Sequence, residues 1–257
     1  MPSATLVLTR PRQQAAEWIA RLAALGVPAC SLPLIEILPG DPQQADTAWQ
    51  QLPVAALAVF VSPNAVEHFF AAQAGRPWPA QTLAACVGPG SARALREAGV
   101  PEALIVQPPA AAASLDSEHL WPQLASRDWQ GRDVLLLRGN GGREWLAERL
   151  REHGATTHYF SVYRRTAPHY EAPQQALFDA VLAAPAGHVW LFSSAEGVRH
   201  LAALAPAGQD WSAARGICTH ERIAEAARGI GIGHIGMARP DATDVTRAFA
   251  LLQSFAP

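Results

Sequence analysis

The feature that most constrains this chain of 257 residues is that it repeats itself. Residues 17–26, EWIARLAALG, resemble 144–154, EWLAERLREHG, and residues 60–69, FVSPNAVEHF, resemble 192–201, FSSAEGVRHL. Residues 90–99, GSARALREAG, resemble 220–229, HERIAEAARG, more weakly. From start to start the offsets are 127, 132 and 130 residues, and the order is collinear. One such pair means little, because any two strand–helix units look alike; three in order point to duplication. Both members of the first pair follow an arginine at a strand end, Arg10 and Arg138.

The repeated unit reads as strand followed by helix. Short apolar runs at 5–8 (TLVL), 57–61 (LAVFV), 83–87 (LAACV), 134–137 (VLLL) and 189–192 (VWLF) read as strands. Over 12–25, Trp18, Leu22 and Leu25 recur at helical spacing. Alternating strands and helices predict an α/β fold with parallel sheets and helices on both faces. Two similar halves predict two lobes with a ligand cleft between them, and in open parallel sheets ligands gather at the carboxyl ends of the strands. The loops at those ends are Thr9-Arg10-Pro11, Ser62-Pro63-Asn64, Gly88-Pro89-Gly90-Ser91, Arg138-Gly139-Asn140-Gly141, Ser193-Ser194 and Thr219-His220. Nearly all are small, polar or glycine.

Composition narrows the function classes. With 49 % apolar and 16 % charged residues the chain is neither disordered nor a coiled coil. A formal charge of −2 gives no basis for a general nucleic-acid binder, although a local basic site for an acidic small molecule fits. Cys30, Cys86 and Cys218 are far apart, and no C-x-x-C or zinc spacing occurs, so neither a disulfide framework nor a metal site is expected. The first residues lack the charged and apolar regions of a signal peptide, and no apolar run approaches the ~18 residues of a membrane span. The expectation is a soluble cytoplasmic protein.

The stretch VLLLRGNGGREWLAERL, 134–150, runs a strand through a glycine-rich turn into a helix, a geometry that receives anions. A dinucleotide fingerprint needs a third glycine where Glu144 stands, and no Lys-Ser/Thr pair completes a phosphate loop. What survives is an arginine beside backbone N–H groups, suited to a carboxylate or phosphate. Ser62 as N-cap with Pro63 at the first helical position is an ordinary helix start, and Ser193 with Glu196 fits a capping box. Capping and ligand contact are compatible, since a cap orients the N–H groups that meet an anion. His153 and His158 straddle a turn without metal-ligand spacing, and no G-x-S-x-G elbow supports a hydrolase triad. Arg164 and Arg165 follow Tyr163, which on its own reads as a strand aromatic.

Read together, these loops resemble the uroporphyrinogen-III synthase family. The matching stretches are LVLTRP, SLPLIEI, FVSPNAV, VGPGSARAL, DSEHL, VLLLRGNGGREWLAERLREHGATTHYFSVYRRT and FSSAEGV, in order along the whole chain. Single motifs of this family are loose, so the ensemble carries the specificity, and 134–166 is its most telling part. Where the family often has G-P-x-T-A, this chain has Cys218-Thr219-His220-Glu221-Arg222.

The resemblance implies that the first strand–helix unit belongs with the end of the chain. Lobe one would be 1–34 plus 168–257 and lobe two 40–160, joined by a two-stranded β-ladder from the connectors 35–39 and 161–167. It implies a cofactor-independent, cyclising hydro-lyase of tetrapyrrole (haem, sirohaem, cobalamin) biosynthesis. Such an enzyme closes hydroxymethylbilane to uroporphyrinogen III with loss of water and inversion of ring D. Tyr163 matches the family's V-Y tyrosine and would assist departure of the hydroxyl. Arg10, Ser62, Pro63, Asn64, Gly88, Ser91, Arg138, Gly139, Asn140, Ser193, Ser194, Thr219 and His220 would bind substrate, with no metal. A monomer is expected, in transient contact with hydroxymethylbilane synthase and without nucleic-acid or membrane partners. Two other classes remain: a two-lobed cytosolic carboxylate- or phosphate-binding protein without catalysis, and a nucleotide-dependent α/β enzyme.

Overall fold

The computed structural model describes residues 4–72, 75–109, 116–141 and 144–253. In chain order the elements begin with β1 (Thr5–Leu8), α1 (Arg12–Ala24), β2 (Ala29–Ser31), β3 (Glu36–Pro39) and α2 (Pro42–Gln51). Next come β4 (Leu57–Phe60), α3 (Pro63–Ala71), β5 (Leu83–Cys86), α4 (Pro89–Glu97), β6 (Ile105–Val106) and α5 (Ser117–Leu120). The second half holds β7 (Asp133–Arg138), α6 (Trp145–Glu152), β8 (Thr156–Ser161), β9 (Tyr163–Thr166) and α7 (Ala172–Ala183). It closes with β10 (His188–Phe192), α8 (Ala195–Leu204), β11 (Arg215–Cys218), α9 (Glu221–Gly229), β12 (His234–Met237) and α10 (Ala242–Gln253).

Two compact units result, Met1–Glu36 with Thr166–Pro257, and Ile37–Arg165. The first holds a five-stranded sheet in the order β12-β11-β10-β1-β2, the second one in the order β6-β5-β4-β7-β8. All pairings in both sheets are parallel. β3 and β9 form a two-stranded antiparallel sheet where the chain passes from one unit to the other. The units are not the two halves of the repeat. Each takes its β–α–β piece from one half, β1-α1-β2 or β7-α6-β8, and its other three strands from the opposite half.

The central strands explain why these runs are so apolar. β4 is buried along its whole length, and β1 almost so, because helices cover both faces of a parallel sheet. In the first unit Leu6 and Leu8 pack with Trp18, Leu22 and Phe249 on one face. Val7, between them, points to the other, where Trp190, Phe192, Val198 and Leu201 gather. In the second unit Val59, Leu136, Leu146 and Leu150 share one face. Beyond it lies an aromatic cluster in which Trp49 stacks on Phe69 with centroids 4.6 Å apart and donates Nε1–H to the Phe69 carbonyl at 3.0 Å. The repeated helices stop at matching glycines: Gly26 and Gly154 adopt φ of +73° and +90°, a left-handed conformation that terminates α1 and α6.

The five strands read from the sequence are present, with ends moved by a residue: 57–61 closes at Phe60, and 134–137 widens to Asp133–Arg138. The structure adds β2, β6, β8, β11 and β12. Four of these are edge strands that keep solvent exposure, so their sequences lack a continuous apolar run. β11, RGIC, is internal but short, and it starts on a buried arginine. Arg215 spans from the Leu252 carbonyl, 3.2 Å from its Nη1, to the Ala186 carbonyl, and so ties the end of α10 to the turn before β10. No described helix is long and apolar enough to cross a membrane.

Candidate functional site

In the second unit, sequence-predicted residues converge on one side chain. Tyr163 opens β9 and is 5 % exposed. Its ring lies against the backbone of Gly139, so closely that a Cβ there would sit 2.7 Å from the ring carbon Cε2. The ring of His68 is near-parallel to it, 6.1 Å between centroids and tilted by 20°. Ser62 Oγ stands 3.1 Å from the phenolic oxygen and also accepts the Ala65 N–H at 3.2 Å, as N-cap of α3. Pro63 is at the first helical position, as expected for this start.

Local sequence explains how Tyr163 is held. Val162 N–H donates to the Arg138 carbonyl at 2.9 Å, and Gly40 N–H to the Val162 carbonyl at 3.0 Å. Asn140 braces a neighbouring residue of β9. Its Oδ1 accepts the Arg165 N–H at 2.9 Å and its Nδ2 reaches the Arg165 carbonyl at 3.4 Å, imitating a sheet partner. Gly139 and Asn140 therefore shape the tyrosine's seat in this structure. His68 half-buries its ring, and that desolvation lowers its pKa from 6.5.

One step along the same loop lies the cationic group. Arg138 ends β7 and stacks its guanidinium on Tyr159 of β8, 4.3 Å from the ring centroid. Its Nη2 meets Glu144 Oε1 at 3.4 Å, while Nη1 is buried without a partner among the described residues. Glu144, at the N-cap of α6, also receives the Tyr159 hydroxyl at 3.3 Å and lies 3.9 Å from Arg151. The glutamate that spoiled the nucleotide fingerprint is thus an internal counter-ion of the loop. Gly142 and Arg143 of this loop lie outside the described residues. A cavity of about 230 Å³ opens here, bordered by Val59, Leu136 and Leu146 on its apolar side and by Arg138, Tyr159 and Asp116 on its polar side.

Other predicted residues of this unit stand apart from the tyrosine. Gly88 is the N-cap of α4, Asn64 is half-buried in the first turn of α3, and Ser91 is 3 % exposed on the inner side of α4. The two loops are neighbours, since a Cβ on Gly90 would touch Pro63 at 3.4 Å.

In the first unit the corresponding loops are capped in their own ways. Arg10 stacks on Trp18, 4.3 Å from the ring centroid, and its Nε is buried without a described partner. Burial lowers its pKa from that of a free arginine. Ser194, with its Oγ accepting the Gly197 N–H at 3.5 Å, is the N-cap of α8. This corrects the capping box expected at Ser193 and Glu196. Either serine of SSAEG can cap, and β10 hands over to α8 one residue later than expected, leaving Glu196 inside the first turn. Ser193 is half-buried just before the cap. His220 caps α9, its Nδ1 accepting the Arg222 N–H at 3.1 Å, and Thr219 donates its N–H to the Phe192 carbonyl at 3.3 Å.

His68, Tyr159 and Trp18 were not singled out from sequence as site residues. Tyr159 was legible in principle: it pairs in register with Leu136, which places it diagonally across from Arg138. His68 carries no local signal and reaches Tyr163 only through the fold. Cys86 and Cys218 are free thiols whose pKa burial pushes up to about 11 and about 12, so neither is a ready nucleophile.

The family model described as uroporphyrinogen-III synthase HemD matches residues 16–246. The chain belongs to the uroporphyrinogen-III synthase family. It is 32 % identical over 177 residues to the uroporphyrinogen-III synthase of Salmonella typhimurium strain LT2, an alignment covering 67 % of this chain and 70 % of that one. The enzyme of the same name from Escherichia coli K12 gives the same identity and coverage. Among solved structures, a uroporphyrinogen-III synthetase from Helicobacter pylori 26695 has a TM-score of 0.62 at 16 % identity, covering 98 % of this chain and 100 % of that one. A mutant uroporphyrinogen III synthase from the extremely thermophilic bacterium Thermus thermophilus has a TM-score of 0.59 at 17 % identity, again with 98 % and 100 % coverage. Both show the shared fold.

Proposed function

We infer that this chain is a uroporphyrinogen-III synthase, a cyclising hydro-lyase that converts hydroxymethylbilane to uroporphyrinogen III. Family membership supports the activity, and the observation that carries the site is the seat of Tyr163, with its hydroxyl beside Ser62 at the start of α3. The substrate is a linear tetrapyrrole fringed with acetate and propionate groups. Arg138, with one buried nitrogen left unpaired among the described residues, is suited to receive one of those carboxylates. Arg10, Ser193, Ser194, Thr219 and His220 form a further set of proposed carboxylate contacts on the first unit.

The reaction begins when the hydroxymethyl C–O bond breaks and its electron pair leaves on oxygen. The oxygen takes up a proton from solvent and departs as water, while the pyrrole nitrogen's lone pair stabilises the resulting azafulvene cation. Attack by the substituted carbon of ring D gives a spiro intermediate, which fragments and recloses with that ring inverted, and loss of a proton to solvent restores the aromatic pyrrole. Closure without inversion gives isomer I, so holding one substrate conformation supplies much of the selectivity. Tyr163 assists by donating a hydrogen bond to the leaving oxygen.

We place the enzyme in the cytoplasm as a monomer that takes its substrate from hydroxymethylbilane synthase in a transient contact. The deciding experiment supplies fresh hydroxymethylbilane and separates the oxidised porphyrin isomers. Isomer III formed faster than spontaneous closure supports the assignment. Isomer I alone, at the uncatalysed rate, overturns it.

A further inference from the structure

We propose that Ser62 is the positioning residue that aims the Tyr163 hydroxyl, by donating its own proton to the phenolic oxygen. The inference rests on the reading of Tyr163 given above and assigns the orientation of its O–H to a second side chain.

The hydrogen-bond inventory around Ser62 carries the argument. A serine hydroxyl has one proton and two lone pairs. One lone pair of Ser62 Oγ is taken by the Ala65 N–H, the cap contact at 3.2 Å. Among the described residues, the phenolic oxygen of Tyr163, 3.1 Å away, is the partner left for the serine proton. Were the phenol to donate instead, Ser62 would accept twice and its own proton would lack a described partner. Donation from serine satisfies both groups and leaves the phenol O–H free to point at a substrate oxygen.

The cap strengthens this polarity. Ala65 N–H, in the first turn of α3 where the helix carries partial positive charge, is shared between the Ser62 carbonyl at 3.1 Å and Ser62 Oγ at 3.2 Å. Its donation into Ser62 Oγ polarises the serine O–H, which in turn polarises the phenol, each bond strengthening the next. The ring has little freedom to evade this arrangement. It is held by the Gly139 backbone and the near-parallel His68 ring, so rotation about the C–O bond is the hydroxyl's remaining motion. Ser62 sets that rotation.

The matching cap in the other unit shows that the tyrosine contact is an addition to helix capping. Ser194 caps α8 through Gly197 as Ser62 caps α3 through Ala65, and among the described residues Ser194 has no tyrosine partner. Capping alone does not require a hydroxyl: aspartate caps as well as serine. An ionised aspartate, however, only accepts, and would draw the Tyr163 proton onto itself.

This separates the two roles. Ser62→Asp, Ser62→Ala and Ser62→Thr are made alone and in the Tyr163→Phe background, with kcat, KM, isomer ratio and melting temperature measured. Ser62→Asp is expected to keep the wild-type melting temperature and to lose about 5–10-fold in kcat, the worth of one oriented hydrogen bond. Repulsion of the acidic substrate by the new carboxylate appears in KM. Ser62→Ala loses as much in kcat together with the cap, and Ser62→Thr retains turnover. In the Tyr163→Phe background, none of the three changes kcat further. If Tyr163→Phe is impaired while Ser62→Asp keeps wild-type kcat, or if the losses multiply in the double variant, this inference fails alone. Wild-type turnover in Tyr163→Phe defeats the reading of Tyr163 and this inference with it.

Discussion

The two α/β units share one plan and differ where the plan touches chemistry. Their sheets correspond strand for strand in order, β12-β11-β10-β1-β2 against β6-β5-β4-β7-β8, and each central loop begins with an arginine stacked on an aromatic ring. At the offset of 128 residues that relates Arg10 to Arg138 and Gly26 to Gly154, Tyr163 of the second connector corresponds to Ile35 of the first (163 less 128). Gly139 corresponds to no glycine, because Pro11 follows Arg10. Arg138 has Glu144 as a counter-ion, whereas the buried Nε of Arg10 has no partner among the described residues. A duplicated scaffold therefore presents anion-suited loops twice and a seated tyrosine once. Binding groups are repeated; the proposed reacting group is not.

The largest test of that asymmetry is Tyr163→Phe. It is expected to lower kcat by roughly 10–100-fold, the lower range of acid–base assistance, with KM within about twofold. Steady-state rates and the isomer III to isomer I ratio read this directly; unchanged turnover would make the two connectors equivalent. Next comes Gly139→Ala, which places a Cβ 2.7 Å from the tyrosine ring. A cost of about 1–3 kcal/mol from overpacking is expected in urea unfolding. Combining it with Tyr163→Ala should remove most of that cost, since the clash is with this ring.

A structural contrast gives the third test. Arg215 of β11 corresponds to Leu83 of β5, at an offset of 132 residues. Arg215→Leu makes the units alike there and removes two hydrogen bonds to carbonyls, for a loss of about 1–2 kcal/mol. A variant as stable as wild type in urea would show that the arginine is dispensable. Smaller still is Glu144→Gln, which releases Arg138 from its counter-ion and makes it resemble Arg10. KM should fall by less than about fivefold, the scale of a partly exposed ion pair. A rise in KM would mean that Glu144 holds the arginine in its binding posture.

The smallest effect concerns pH. Burial lowers the His68 pKa below 6.5, so the unfolded chain takes up a proton at this site before the folded one does. As pH falls through 6.5, folded stability is therefore lost, and above it the pH dependence from this site vanishes. Replacing His68 by Gln should flatten this part of the stability curve, measured by chemical unfolding between about pH 5 and 8, the range in which histidine titrates. A curve parallel to wild type would show that the ring is as well solvated folded as unfolded.

Much of this architecture was legible because its signals are local. Continuous apolar runs marked the buried central strands, and the recurrence of Trp18, Leu22 and Leu25 at helical spacing marked the first helix. Ser62-Pro63 marked a helix start for the ordinary reason that serine caps and proline suits the first turn. The edge strands were less visible, since β8 and β12 remain half in water and need no apolar run. The choice between Ser193 and Ser194 as cap also escaped local reading, because either satisfies the same donors.

By itself, the sequence determined the alternation of strand and helix, the duplication, the loops at the strand ends and, through the matched motifs, the family. Those properties follow from the periodicity and from residues adjacent in the chain. The repeat alone did not say that each unit borrows a β–α–β piece from the opposite half; the family resemblance implied that regrouping, and the tertiary structure has it in the order of both sheets. Only the tertiary structure decided that Ser62, 101 residues from Tyr163, shares a hydrogen bond with it, and that Gly139 and His68 form the walls of its seat. Such contacts depend on which strands pair, and pairing is settled by burying both faces of a whole sheet at once, a condition no local stretch can express.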